Sequence, residues 1–174
     1  MDAQRPRILS LCSGYGGLDI AVERLTGGRT VAVAETHPGA VRVLAKRFPM
    51  AVNIGDIRHA DWWAVGTEFR PRIVTAGFPC TDISVAGKGA GIHGERSGIW
   101  KNVRDCVQVI RPDRLFLENV AVIRSRGLDV VAEDLAAIGY DLRWTCVRAS
   151  DVNYSHARFR WFGYARPVAD TESQ

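Results

Sequence analysis

The chain has 174 residues, 47% of them hydrophobic and 24% charged, which supports a single domain with a sizeable core and excludes a disordered or fibrous chain. Its formal charge is +4 and its isoelectric point lies near 9.1, but the excess is arginine dispersed along the chain, so charge favours a polyanionic partner only weakly. No apolar run reaches membrane-spanning length, and Met1-Asp2-Ala3-Gln4-Arg5 lacks the layout of a secretory signal, so the expectation is a cytoplasmic protein without a membrane partner.

In chain order, Arg7-Ile8-Leu9-Ser10 reads as a strand and leads into the glycine-rich turn Leu11-Cys12-Ser13-Gly14-Tyr15-Gly16-Gly17-Leu18-Asp19. Strand, tight glycine turn and helix form the first unit of a nucleotide-binding α/β fold. Val31-Ala32-Val33-Ala34 reads as a second strand ending in Glu35, where such folds set a carboxylate against ribose hydroxyls. A third acidic strand end follows at Gly55-Asp56-Ile57. Strands near 7–12, 29–34, 50–54, 72–77 and 113–118 alternate with helical patterns near 18–26, 39–47, 60–68 and 98–110. This alternation predicts an α/β fold with a doubly wound, mostly parallel sheet. A further helix from about 128 to 138 ends at Gly139, and segments 140–147 and 158–164 read as a final pair of strands. Residues 1–166 are expected to form the domain and residues 167–174 a polar tail.

Two strand ends carry candidate chemistry. The run Arg72-Ile73-Val74-Thr75-Ala76 is short and β-rich, and Gly77-Phe78-Pro79-Cys80-Thr81-Asp82-Ile83-Ser84 follows it, placing one thiol where parallel sheets bind ligands. Pro79 fixes φ beside it. A thiol attacks as its thiolate, so a nucleophilic Cys80 requires activation by positive charge or by substrate. Glu118-Asn119-Val120 follows Arg114-Leu115-Phe116-Leu117 in the same way, and a carboxylate there can hydrogen-bond or protonate a ring nitrogen. Cys12, Cys80, Cys106 and Cys146 are scattered without Cys-x-x-Cys spacing, and His37, His59, His93 and His156 show no metal-ligand pairing, so no metal and no disulfide framework are expected.

Together, the glycine turn, Gly-Phe-Pro-Cys and Glu-Asn-Val resemble the cytosine-C5 DNA methyltransferase family. Two further segments extend the resemblance. Arg96-Ser97-Gly98-Ile99-Trp100 is similar to the family's Arg-Ser-Gly-Leu-Trp, and Gly87, Gly89, Gly91 and Gly94 fall in the loop before it. Tyr154-Ser155-His156-Ala157-Arg158-Phe159-Arg160 resembles a motif that usually reads Pro-Gln-x-Arg-x-Arg, with Ser155 and His156 replacing the proline and glutamine. The resemblance implies a Rossmann-like S-adenosylmethionine-dependent methyltransferase with an antiparallel final strand. It further implies that Ser13, Gly14, Tyr15, Gly16, Gly17, Glu35, Thr36, Asp56, Ile57, Gly77, Pro79 and Ser97 hold S-adenosylmethionine, with Asp56 near the adenine amino group.

The catalytic residues that the resemblance implies are Cys80, Glu118, Arg158 and Arg160. Cys80 attacks cytosine C6, Glu118 supports the attack through N3, Arg158 contacts the flipped base and Arg160 supports the carboxylate or the nearby backbone. DNA is the expected partner. Full-length relatives continue into a target-recognition domain, so the expectation is that a second polypeptide or a second copy supplies recognition; a minimal enzyme of weak specificity and a degenerate relative compete with it. Two other readings stay open: an RNA methyltransferase of the tRNA-methylating branch, and a non-catalytic nucleic-acid or protein-binding relative.

Overall fold

The first strand, β1 (Arg7–Leu11), buries every side chain after Arg7, as a central strand covered on both faces must. The computed structural model describes residues 5–79, 98–153, 155 and 158–169. It adds β2 (Arg29–Ala34), β3 (Val52–Asn53), β4 (Ile73–Ala76), β5 (Arg114–Val120), β6 (Tyr140–Arg148) and β7 (Phe159–Pro167) to a seven-stranded sheet. The spatial order is β3-β2-β1-β4-β5-β7-β6. β1 to β5 pair in parallel, while β7 runs antiparallel to both β5 and β6. The sheet is therefore doubly wound and mostly parallel, as the alternating pattern predicts, with an antiparallel final pair. The chain winds outward from β1 to β3 and then returns to β4 on the other side of β1. The carboxyl ends of β1 and β4 thus flank a topological switch point, the crevice where open α/β sheets take ligands.

The helices are α1 (Gly17–Thr26), α2 (Pro38–Arg47), α3 (Trp62–Phe69), α4 (Gly98–Ile110) and α5 (Leu128–Ala137). On one face, Val22 of α1 packs with Ile8 and Ile73, and Leu44 of α2 with Val33. The opposite face carries the main core, where Leu9, Leu11, Val74, Leu115 and Leu117 meet Val65, Val103, Val107, Val131 and Leu135 of α3, α4 and α5. β5 alternates strictly, sending Leu115, Leu117 and Asn119 to that core and leaving Phe116 and Glu118 half-buried on the α1 side.

Three expected boundaries move. Parallel pairing of β5 with β4 stops at Leu117, but antiparallel pairing with β7 carries β5 on to Val120, so Glu118 sits inside a strand, not at its tip. The helix expected over 60–68 is found as α3 but starts two residues late, because Asp61 accepts from the Trp63 and Ala64 N–H groups and caps it at Trp62; a separate 3₁₀ turn at Ile57–His59, capped by Asp56, precedes it. The last strand runs past the expected domain boundary, with Pro167 paired to Tyr140 and the Val168 N–H donating to Gly139 O at 2.9 Å.

Candidate active site

The glycine turn is shaped by positive φ and by lack of room. Gly14 has φ 52° and Gly16, which caps α1, φ 77°. A Cβ on Gly16 would lie 2.6 Å from the Phe48 ring, so both backbone and packing demand glycine there. Ser13 N–H reaches Ala34 O at 3.2 Å, tying the turn to the end of β2.

Glu35, the next residue, completes that tie. One carboxylate oxygen accepts the Gly14 N–H at 2.8 Å, and the other accepts the N–H groups of Thr36 and His37, both at 2.8 Å. Asn53 of β3 holds the same corner by accepting from Glu35 N–H at 3.2 Å and donating to Glu35 O at 3.0 Å. Asp56 lies one strand further out. Its carboxylate caps the 3₁₀ turn and is gripped by Arg58, whose side-chain and backbone hydrogen bonds hold its pKa down at about 2. Glu35, Thr36, Gly55, Asp56, Ile57 and Pro79 line a cleft of about 210 Å³, with Cys12 and Ile99.

Cys12 also lines a second, larger cleft of about 520 Å³. Ser10, Ser13, Gly14, Tyr15, Gly17, Asp19, Thr75 and Gly77 line it on the glycine-turn side, and Glu118, Arg158, Arg160 and Phe162 on the other. Antiparallel pairing sets Arg160 beside β5, and its Nε lies 2.8 Å from Glu118 Oε1, with Arg158 Nη2 at 3.8 Å from the same oxygen. Arg158 is the more exposed of the two arginines, its side chain being 59% accessible against 25% for Arg160. The longer, wetter contact contributes little. A Cβ on Gly77 would lie 3.7 Å from Glu118 Oε2, so the carboxylate stands over the end of β4.

The structure brings together Ser13, Gly14, Tyr15, Gly17, Gly77, Glu118, Arg158 and Arg160 in the larger cleft, and Glu35, Thr36, Asp56, Ile57 and Pro79 in the smaller. Gly16 serves the turn between them. Cys80 and Ser97 lie outside the described residues, as do residues 81–96.

Two polar residues of this region carry roles that the sequence reading does not assign. Asn119, on the core side of β5, donates from Nδ2 to Phe78 O at 2.9 Å, while the Phe78 ring is buried against Trp100. The segment leading into Cys80 is thereby fixed up to Phe78. Asp19, in the first turn of α1, is only 1% exposed and accepts from the Thr75 hydroxyl, with the Ser10 hydroxyl beside it. Burial raises its pKa above the usual 3.8, outweighing the Thr75 bond that lowers it.

That shift predicts a pH dependence of stability. The folded state holds the Asp19 proton more tightly than the unfolded chain, so this group favours folding most below pH 3.8, and its contribution declines as pH rises through 3.8 towards the folded value. Asp19→Asn is expected to flatten that decline. Urea midpoints of both proteins between about pH 3 and pH 7 check it, parallel curves being the contrary result.

A mostly parallel sheet with an antiparallel final pair and a glycine turn at its switch point is the architecture of S-adenosylmethionine-dependent methyltransferases. Among solved structures, the fold matches Spodoptera frugiperda DNMT2 in its E260A/E261A/K263A mutant (TM-score 0.77, 20% identity, 95% of this chain and 51% of that one). It matches S. pombe Dnmt2 methyltransferase equally well (TM-score 0.77, 21% identity, 94% and 50%). At the level of sequence, residues 6–166 match the family model of C-5 cytosine-specific DNA methylase, and the chain belongs to that family. Similar curated proteins include the Type II methyltransferase M.CviJI of Paramecium bursaria Chlorella virus IL3A, 31% identical over 90% of this chain and 42% of its own length. Another is the Type II methyltransferase M2.BsuMI of Bacillus subtilis (strain 168), 30% identical over 88% and 40%. The chain thus spans about two fifths of the length of the curated relatives it matches. Family and fold imply S-adenosylmethionine as the methyl donor.

Proposed function

We propose that this chain carries the catalytic centre of a DNA (cytosine-5)-methyltransferase, which moves a methyl group from S-adenosylmethionine to C5 of a cytosine flipped out of the duplex. The observation that carries this reading is the Glu118 carboxylate, aimed by Arg160 into the cleft that the glycine turn also lines.

The donor set suits the cofactor. Glu35 accepts three backbone N–H groups, two on Oε1 and one on Oε2, and of the about four acceptor sites of a carboxylate the one left on Oε2 can take a ribose hydroxyl. Asp56 and Ile57 bound the adenine end, and the turn Ser13–Gly17 together with Gly77 leaves backbone exposed towards the methionine end. When bound, the cofactor supplies an electrophilic methyl on a sulfonium. The residues of the chain make cytosine able to accept it.

Cys80 attacks C6 as a thiolate, and the ring electrons move towards N3, where Glu118 donates a hydrogen bond or a proton. Arg160 fixes the Glu118 carboxylate, and Arg158 reaches the base. C5, now enamine-like, takes the methyl as the methyl–sulfur bond breaks and its electron pair stays on the departing sulfur; the N3 proton returns to Glu118, a base removes the C5 proton, and the returning electron pair expels the Cys80 sulfur. The flip is required because stacking hides C5 and C6. Phosphate contacts from arginine position DNA without reading sequence, so target choice is assigned to a partner polypeptide or second copy.

Methyl transfer from labelled S-adenosylmethionine tests the function. Label is expected in 5-methylcytosine of DNA; label in RNA alone would favour the RNA-modifying reading, and none in either nucleic acid, with cofactor bound, the non-catalytic one. The cofactor placement makes a separate prediction: Glu35→Ala and Asp56→Ala should each weaken S-adenosylmethionine binding by about 1–3 kcal/mol, the cost of losing a hydrogen-bonded charged partner. Calorimetry showing unchanged affinity in both would refute it.

A further inference from the structure

Asp19 takes no part in the chemistry above, yet it lines the larger cleft with Ser10, Thr75, Gly77 and Glu118 while being itself almost fully buried. Its contacts within the fold are the bond from the Thr75 hydroxyl to Oδ1 and weaker ones from the Ser10 hydroxyl and its own backbone N–H. Asparagine Oδ1 would accept the Thr75 bond equally well and would spare the protein a buried charge, so these neutral donors do not repay the burial of a carboxylate, which remains penalised. Its charged surroundings give no reason for a carboxylate either. Glu23, on the same helix, acts against the ionised form, and Arg158 and Arg160 across the cleft already face Glu118.

A reason appears from the layout of the two clefts. They meet at Cys12, which lines both, so a ligand with its nucleoside against Glu35 and Asp56 extends past Cys12 into the compartment of Asp19. The amino-acid end of S-adenosylmethionine carries an α-ammonium, the complement of a desolvated carboxylate ringed by hydroxyls. We propose that Asp19 is the anionic end of the cofactor site, binding that ammonium with its carboxylate oriented by Thr75. This assignment rests on the cofactor reading above. It also makes Asp19 a residue kept charged for binding at the expense of stability.

Two ligands separate this role from a structural one. S-Adenosylhomocysteine has the ammonium, and 5′-methylthioadenosine lacks the whole amino-acid end. Calorimetry on the full chain should show Asp19→Asn weakening S-adenosylhomocysteine about tenfold or more while changing 5′-methylthioadenosine by less than about twofold. The thermal midpoint near neutral pH should be no lower than wild type. Thr75→Val, which removes the orienting donor, should shift the two ligands in the same unequal way. Equal weakening of both ligands, or unchanged S-adenosylhomocysteine affinity, would overturn the assignment. Wild-type protein that binds 5′-methylthioadenosine but not S-adenosylhomocysteine would do so too. Failure of the wild type to bind either would overturn the cofactor reading itself.

Discussion

Cys80→Ser is expected to abolish methyl transfer to cytosine while leaving S-adenosylhomocysteine affinity within about twofold of wild type. The separation follows from the two ends of the site. On the proposed reading, cofactor contacts come from the glycine turn and the acidic ends of β2 and β3, whereas Cys80, which follows Pro79 in sequence after β4, serves the base. Serine preserves the size of the side chain but cannot form the thiolate, and the core thiol of Cys106 cannot replace it. Cys106 is fully buried in the core, where burial raises its pKa and leaves it inert. Retained turnover in Cys80→Ser would remove the nucleophile from its assigned position.

The second large effect is expected at Glu118. Glu118→Gln keeps the shape of the side chain but loses its exchangeable proton, and should lower kcat by about 10²–10⁴-fold, the usual range for a positioned acid or base. KM for DNA should change far less. Arg160→Ala acts on the same oxygen from the other side: it removes the 2.8 Å contact and leaves Glu118 free to turn away from the base. A loss in kcat smaller than that of Glu118→Gln is expected, and the double variant should be little worse than Glu118→Gln alone, since both act through one carboxylate. Additive losses would mean that Arg160 works independently of Glu118.

What the sequence makes legible here is the part set by local pattern. Short apolar runs ending in Glu35, Asp56 and Gly77 mark strand ends, and the glycines of the turn mark a backbone that must take positive φ. Both kinds of signal lie within a few residues of the feature they predict. The contacts that assemble the site are of another kind. Asn119 reaches Phe78 across 41 positions and Asp19 meets Thr75 across 56, and each depends on the strand order β1-β4-β5, which no local pattern specifies. Asp19 in particular reads from sequence as an ordinary acidic residue in the first turn of a helix, where the macrodipole favours it. Only the closing of α1 over β1 and β4 shows it to be buried.

The same limit explains the misplaced end of β5. Parallel pairing with β4 does stop at Leu117, as the apolar run suggests, but β7 arrives from 40 residues later and extends the strand to Val120. That extension has a chemical consequence. An exposed strand tip would leave the Glu118 carboxylate in water, whereas pairing with β7 brings Arg160 alongside it and holds it over Gly77.

Covalent trapping tests the proposed chemistry most directly. A duplex carrying 5-fluorocytosine at a methylated target cannot lose its C5 substituent as a proton, so the enzyme–base adduct should accumulate in the presence of S-adenosylmethionine and survive denaturation. Peptide mapping is predicted to place the attached base on Cys80. Normal methylation of unmodified DNA without any trapped adduct, or an adduct on a different residue, would contradict it.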